Sequence, residues 1–248
     1  MWDAFITLMI NILLFIYDLI GQNFGWAIII FTVLVRLATY PLTARQMKST
    51  KAMQEITNSK KYQDMQKKYK DDKEALAQKQ MELYREKGVS PFGSCLPLLV
   101  QFPIIIGLYQ AIIRSLAVTP LQLVNLSKHI TDGVLIPINN HFWWMELSEP
   151  ERLFGIPLLA IIVVITSYIQ TKMVAPPGGS PGDGGQGAQM TQAMTLYMPF
   201  LMGYLALTFA SGLALYFIAT NLATIAQYMI TGQANFENIL PKLPKLNR

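Results

Sequence analysis

The sequence predicts an all-α membrane protein with five transmembrane helices, an N-terminal interfacial amphipathic helix and a cytoplasmic helical hairpin. Hydrophobic residues make up 52% of the 248 residues and charged residues only 14%, whereas soluble domains carry about 25% charged residues. Five apolar stretches reach the roughly 20 residues that a helix needs to cross a bilayer. Most of the charge lies between the first two stretches, so a soluble globular enzyme is excluded.

The five predicted transmembrane helices are long, nearly uncharged and separated by polar segments. They cover residues 24–44, 94–117, 153–174, 190–209 and 212–231. Residues 175–189 are rich in Gly and Pro and predict a flexible linker. Because no Gly-Lys-Ser or Gly-Lys-Thr follows these glycines, they do not indicate a phosphate-binding loop. Pro103 and Pro199 interrupt the second and fourth helices and are expected to kink them.

The positive charges predict an orientation, because Lys and Arg concentrate on the cytoplasmic side of a membrane. Residues 45–90 hold 12 of the 20 Lys and Arg, and Lys172 and the basic tail 232–248 supply four more. The connection 118–152 holds only two, and it ends in a Phe-Trp-Trp-Met run that suits an aromatic anchor at the outer interface. The N-terminus is therefore predicted outside and the C-terminus in the cytoplasm.

Residues 1–22 are compatible with either a sixth span or a helix on the membrane surface. The polar side chains between Trp2 and Ile20 share one face of roughly 80° of arc. They are Asp3, Thr7, Asn11 and Asp18. We therefore predict an amphipathic helix in the outer interface, with a span as the alternative. No Lys or Arg precedes Arg36 and no small-residue cleavage site follows, so we expect no cleaved signal peptide.

Residues 45–90 predict a helical hairpin with arms at 47–69 and 74–87, between which Lys70-Asp71-Asp72 offers a turn with an N-cap for the second arm. Its apolar seam is thin and consists of Met53, Ile56, Met65, Leu76 and Leu83. The basic excess suits anionic lipid headgroups or ribosomal RNA, and a solvated loop without a partner is the alternative. The candidate recruitment residues are Lys48, Lys51, Lys60, Lys61, Lys67 and Lys68.

Arg36 is the most informative residue, because an arginine near the middle of a span costs about 2.5–3.5 kcal/mol to insert. Thr32, Thr39 and Thr43 predict a polar stripe along the same helix. The other spans add polar groups that we predict to line a shared aqueous cavity. They are Gln101, Thr166, Ser167, Gln170, Thr220, Asn221, Thr224 and Gln227. The alternative is an Arg36 that bonds backbone carbonyls or extends to the cytoplasmic interface.

The sequence contains no constellation typical of catalysis or metal binding. The predicted spans contain no Asp or Glu, so the carboxylate relay of a proton-coupled transporter has no candidate member. His129 and His141 have no carboxylate and thiol set near them, and Ser94 and Cys95 have no adjacent base. We therefore expect no enzymatic activity, metal, cofactor or small-molecule substrate.

Several motifs, in order along the chain, resemble the YidC membrane protein insertases and their mitochondrial oxidase-assembly and thylakoid relatives. They are residues 26–43 (WAIIIFTVLVRLATYPLT), 46–54 (QMKSTKAMQ), 81–88 (MELYREKG), 91–103 (PFGSCLPLLVQFP) and 211–221 (SGLALYFIATN). The resemblance covers nearly the whole chain. It implies a multi-pass protein of a bacterial plasma (inner) membrane. We expect a core like that of single-membrane bacteria, without a large outer domain.

The resemblance also implies a groove that is closed to the outside but open to cytoplasm and lipid, with Arg36 inside it and Gln170 nearby. Phe217 stands where some members have a groove Trp, and Ala210 where a proline often precedes Ser-Gly. The expected function is that of an insertase and chaperone, which moves short polar tails of nascent membrane proteins and releases their hydrophobic segments into the bilayer. The ribosome and a Sec-type translocon are candidate further partners.

Two other classes of protein remain as alternatives. A small-solute or ion channel or transporter predicts a continuous polar path, yet residues 24–31 and 205–213 are nearly devoid of polar groups. A noncatalytic assembly scaffold would hold partner helices through faces of small residues without inserting them.

Overall fold

The computed structural model describes residues 2–69, 72–88, 96–116, 138–174 and 186–234. The described residues are mostly helical, which confirms the predicted class. The helices are α1 (Trp2–Leu19), α2 (Phe24–Ala38), α3 (Tyr40–Asn58), α4 (Lys60–Lys68), α5 (Lys73–Glu86), α6 (Leu96–Ser115), α7 (Leu158–Val174), α8 (Gln186–Thr208) and α9 (Ser211–Ile230). A short antiparallel pair joins β1 (His141–Phe142) to β2 (Met145–Glu146).

Some sequence predictions lie outside the described residues. They concern Ser94 and Cys95, His129, most of the Gly-rich linker and the end of the basic tail. The described chain divides into two compact units. The first contains Met1–Thr39, Leu98–Thr166 and Phe200–Ala223, and the second contains Tyr40–Pro97, Ser167–Pro199 and Thr224–Arg248.

The core of the first unit begins with one face of α1. Ile6, Ile10 and Leu13 are fully buried, and their spacing places them on one side of a helix. Of the predicted polar face, Asp3 and Asp18 are exposed. The exposed surface of α1 also carries large apolar side chains, namely Leu8, Ile12, Phe15 and Leu19. These side chains require lipid or another apolar neighbour whether α1 lies on the membrane or crosses it.

Close helix contacts in the first unit occur at glycines. A Cβ built on Gly107 of α6 would lie 2.6 Å from Phe5 Cε1 of α1. A Cβ on Gly203 of α8 would lie 2.3 Å from Val164 Cγ2 of α7. Neither position has room for a larger side chain, so these glycines allow the helices to approach each other closely.

The start of α9 is bonded to the connection that follows β2. Ser211 Oγ donates to the Glu146 carbonyl at 2.6 Å, and Ser211 N donates to the Glu149 carbonyl at 2.8 Å. Gly212 N donates to the Leu147 carbonyl at 3.1 Å. The first N–H groups of a helix have no partner within it, so the connection supplies these partners.

The second unit contains α3, α4 and α5, which pack around a small apolar cluster. Ile56, Tyr62 and Leu83 are buried together, and Gln80 Nε2 donates to Tyr62 Oη at 3.1 Å. Lys61 pairs with Glu86 at 2.7 Å. These pairs put the start of α4 beside the end of α5, so the two helices are antiparallel.

Two predicted helices are interrupted. The arm predicted at 47–69 breaks at Ser59, whose extended backbone and side chain cap α4 by accepting from Tyr62 N. The helix predicted at 24–44 breaks at Thr39, because Pro41 cannot donate to the carbonyl four residues earlier and disfavours helix before it. Thr43 therefore belongs to α3 and does not extend the polar face of α2.

Two predicted boundaries also move. The helix predicted to begin at residue 153 begins at Leu158, because Gly155 and Phe154 have positive φ and Pro157 precedes the first helical residue. In contrast, α8 begins at Gln186, inside the stretch predicted as linker. Once a helix has formed, each added residue contributes another hydrogen bond, so it extends into this polar sequence.

Two described helices, Trp2–Leu19 and Ser211–Ile230, are long and apolar enough to cross a membrane. The broken pair Phe24–Ala38 and Tyr40–Thr57 is a third candidate span. Leu158–Val174 and Leu196–Thr208 are shorter apolar helices. The count of five spans and the interfacial position of α1 stay predictions.

Candidate functional site

The predicted polar face of α2 consists of Thr32, Arg36 and Thr39. Thr32 is buried and its Oγ1 donates to the Ile28 carbonyl at 2.7 Å. Thr39 Oγ1 donates to the Val35 carbonyl at 2.8 Å, where the helix ends. Both hydroxyl protons are used within α2, so these threonines offer mainly oxygen acceptors to a ligand. The Arg36 side chain is half-buried.

Tyr216 brings two of the predicted site residues into one cluster. Gln101 Nε2 of α6 donates to Tyr216 Oη of α9. The positive charge of Arg36 also acts on this hydroxyl. An amide of α6 therefore bonds a phenol that is only 2% exposed, and a cation of α2 acts on the same phenol through its charge.

The sequence analysis did not single out Tyr216 as a site residue. It lies four residues before Thr220, so the two side chains share one face of α9. A phenol on a polar face of an apolar helix was the available signal. Its partner Gln101 is 115 residues away in the sequence, and helical periodicity contains no information about such a pairing.

A second polar contact joins α9 to α7. Asn221 Nδ2 donates to Thr166 Oγ1 at 3.1 Å, and that hydroxyl donates in turn to the Ile162 carbonyl at 2.8 Å. Asn221 is buried. Bonds of this kind between apolar helices satisfy polar groups that lipid cannot satisfy.

The remaining predicted groove residues differ in their surroundings. Phe217 is 4% exposed and lies in the apolar core of the first unit, with its ring centroid 5.9 Å from that of Tyr216. Gln170 is half-buried and Thr224 is buried, and both belong to the second unit. A shared site that contains these two residues and Arg36 stays a prediction.

All six predicted recruitment lysines are exposed. Lys48 and Lys51 lie on α3 and the other four on α4. Lys61 forms the ion pair with Glu86, and its hydrogen bond and positive charge lower the pKa of that carboxyl. The Lys68 ammonium lies 5.5 Å from the centroid of the Tyr69 ring.

The described residues contain no group of three or more His, Cys, Asp or Glu able to hold a metal ion.

Apolar helices long enough to span a bilayer, joined by buried polar contacts, define an α-helical membrane protein. The family model described as 60Kd inner membrane protein matches residues 15–238. The chain therefore belongs to the YidC family of inner membrane proteins.

The relatives include proteins of similar and of much greater length. The chain is 35% identical over 214 residues to the membrane protein insertase YidC of Oceanobacillus iheyensis, an alignment that covers 85% of this chain and 75% of the relative. It is 32% identical over 237 residues to the membrane protein insertase MisCA of Bacillus subtilis, with 93% and 79% covered. Against the membrane protein insertase YidC of Nitratidesulfovibrio vulgaris, identity is 33% over 232 residues and the chain spans only 38% of the relative.

Among solved structures, the chain is similar to a crystal structure described as an active YidC insertase with its first transmembrane domain resolved. The TM-score is 0.57 and the sequence identity is 28%. The similarity covers 93% of this chain and 46% of the other.

Proposed function

We propose that this protein inserts other membrane proteins into the bacterial plasma membrane and acts as a chaperone for their hydrophobic segments. Arg36 is the observation that carries the proposal. It is a half-buried cation on an apolar helix, and its charge acts on Tyr216, the partner of Gln101. Family membership, together with relatives named membrane protein insertases, supports this assignment.

The mechanism that we propose lowers the cost of moving polar groups through lipid. A hydrated groove around Arg36 shortens the apolar path over which a short polar tail of a substrate must be desolvated. The guanidinium attracts an acidic tail, and the amide groups of Gln101, Gln170 and Asn221 replace part of its lost water. The hydrophobic segment that follows the tail then enters the lipid.

The arrangement of Tyr216 adds a structural element to this mechanism. Its hydroxyl accepts from Gln101 and so bonds α6 to α9, and the positive charge of Arg36 on α2 acts on the same group. We propose that this contact orients Arg36 and Gln101 toward the substrate. Phe217 is packed in the core, so substrate contact there requires the surrounding helices to move.

We propose that the exposed lysines of α3 and α4 recruit the nascent chain, either from the ribosome or from a Sec-type translocon. Their positive charge favours phosphate-rich surfaces. The N-terminus outside and the C-terminus in the cytoplasm complete the proposed topology, which puts these helices on the side where nascent chains emerge.

The test is insertion of a single-span substrate with an acidic outer tail in cells depleted of their own insertase. Arg36→Ala should abolish most insertion, and Arg36→Lys should retain much of it if charge is the essential property. Arg114→Ala is the matched control, because the Arg114 guanidinium is already bonded to Asp3 at 3.4 Å and Gln110 at 3.5 Å. Full insertion with Arg36→Ala would contradict the proposed role.

Reconstitution separates the proposal from its alternatives. The purified protein in vesicles should insert the substrate without other components. Binding of the substrate without insertion would favour an assembly scaffold, and flux of small solutes without insertion would favour a channel.

A further inference from the structure

Two tight turns follow each other before α7, and both display large aromatic side chains. The first joins β1 to β2 through Trp143 and Trp144, which are 74% and 44% exposed. The second joins Leu153 to Ile156, and its Phe154 is 95% exposed. Three aromatic rings thus emerge from a short stretch of chain.

The backbone at these turns is strained. Trp143 has φ of +56°, Phe154 has φ of +52° and Gly155 has φ of +83°. Glycine adopts this region readily, whereas a bulky side chain there is an outlier. Two-residue turns with two positive φ values favour Asn or Gly at the first position, where this chain has Phe154. Strain of this kind persists where the surrounding structure imposes it, and it clusters at functional positions.

The Glu151 carboxylate holds both turns and the start of α7. Its Oε1 accepts from Trp144 Nε1 at 3.2 Å and from Leu153 N at 3.0 Å. Its Oε2 accepts from Leu159 N at 3.0 Å. Leu159 lies in the first helical turn, where N–H groups lack partners and a negative charge is stabilising. One side chain therefore fixes the position of both turns relative to the helix.

The first turn is also fixed to α2. The rings of Trp143 and Phe142 are stacked with centroids 5.3 Å apart, and Phe142 meets Trp26 edge to face at 6.0 Å. A Cβ on Gly25 would lie 2.3 Å from the Phe142 ring, so this ring fills the space beside α2. The turn that carries the exposed indoles is thus packed against α2 through Phe142.

We propose that Trp143, Trp144 and Phe154 form a membrane-surface anchor, organised by Glu151, that enters the headgroup region of the leaflet at the N-terminal end of α7. Tryptophan favours this region because its ring is apolar and its N–H is polar. The apolar helix α7 begins at Leu158, directly after the second turn, so the turns lie at the end of a helix that the sequence predicts to cross the bilayer. This continuity favours lipid over a partner protein as the occupant. The inference does not depend on the proposed insertase activity.

The depth of the anchor can be measured by tryptophan fluorescence. Trp2→Phe and Trp26→Phe leave Trp143 and Trp144 as the fluorophores. The full chain is reconstituted in phosphatidylcholine and phosphatidylglycerol vesicles whose lipids carry bromine either near the headgroup or near the chain end. Quenching by the shallow bromines should exceed quenching by the deep ones. The proposal would be overturned if neither brominated lipid quenches the tryptophan emission. It would also be overturned if the deep bromines quench the emission more strongly than the shallow ones.

The second turn is tested with the same lipids. In a chain whose four tryptophans are replaced by Phe, Phe154→Trp places the only fluorophore on the second turn, where the ring has open space. It should report the same shallow depth. A fluorophore accessible only to iodide in the water would show that this turn is not part of the anchor.

The role of Glu151 is tested by Glu151→Gln in the chain that keeps Trp143 and Trp144. The loss of the carboxylate charge and of one acceptor oxygen should reduce the difference between shallow and deep quenching. Glu149→Gln, an exposed neighbour, is the control and should leave that difference unchanged. If the difference between shallow and deep quenching is unchanged in both variants, Glu151 does not organise the anchor.

Discussion

The two units of this chain differ in the share of their polar side chains that is buried. In the first unit, buried polar groups bond one another, as Gln101 does with Tyr216 and Asn221 with Thr166. In α3, α4 and α5 of the second unit, one such bond joins Gln80 to Tyr62 beside a small apolar cluster, while lysines and glutamates remain exposed. Buried polar bonds fix geometry, whereas exposed charges on a thin core allow local opening.

The largest expected effect is at Leu83, which is 4% exposed in the small cluster of the second unit. Leu83→Ala should destabilise the α4 and α5 pair by about 2–5 kcal/mol, because it removes buried apolar contact and leaves a cavity. Hydrogen exchange should accelerate in α4 and α5 but not in α2, which lies wholly in the first unit. Met81→Ala, at an exposed position of the same helix, is the control. Equal acceleration in α2 would contradict a role for Leu83 that is confined to the small cluster.

The next effect is at Gly25, where an added Cβ would lie 2.3 Å from Phe142. Gly25→Ala should destabilise the first unit by about 1–3 kcal/mol through overpacking, measured by thermal unfolding in detergent. Adding Phe142→Leu should restore part of the loss, because the smaller side chain can shift. If Gly25→Ala has no effect, the first unit is less tightly packed than its contacts indicate.

Removal of the Tyr216 hydroxyl tests the buried polar cluster. Tyr216→Phe leaves Gln101 without this acceptor and should cost about 1–3 kcal/mol, the penalty for an unsatisfied buried polar group. Tyr204→Phe is the control, because its side chain is 61% exposed. Both variants can be compared by unfolding in detergent. If Tyr216→Phe and Tyr204→Phe lower the stability equally, the bond from Gln101 makes no measurable contribution to the free energy of unfolding.

The smallest effect is the pH dependence of the Lys61 and Glu86 pair. Lys61 lowers the pKa of Glu86 in the folded state, so the pair stabilises the helices at neutral pH. This contribution begins to fade near the ordinary glutamate pKa of about 4.3 and is lost as pH falls through the lowered value. Glu86→Gln should remove that part of the pH dependence of hydrogen exchange in α5. Both groups are exposed, so the change should be modest.

Local chemistry explains which features of the fold were predictable. Hydropathy and helical periodicity act within a helix, and they predicted the helical class and the approximate positions of α2, α6, α8 and α9. The errors arose at single residues whose effect is lost when hydropathy is averaged over a window of the sequence. Pro41 ends α2 early, Ser59 divides the first arm of the predicted hairpin, and Pro157 delays α7.

The candidate site was predictable only in part for a related reason. Arg36 is conspicuous because a charge in an apolar helix is rare and costly. Tyr216 and Glu151 are not conspicuous in the sequence, because their importance comes from partners that the fold brings together. Tyr216 meets Gln101 across the bundle, and Glu151 meets the first turn of a helix that was predicted to begin at residue 153.

Water access along α2 tests the central claim most directly. In a chain with Cys95→Ser, single cysteines at positions 32, 36 and 39 can be labelled with a membrane-impermeant thiol reagent from the cytoplasmic side. The account predicts labelling at 36 and 39, with less at the deeper and more buried position 32, and none at Leu34, which is 47% exposed on the opposite face. Absence of labelling at 36 and 39 in a folded protein would contradict a hydrated groove around Arg36.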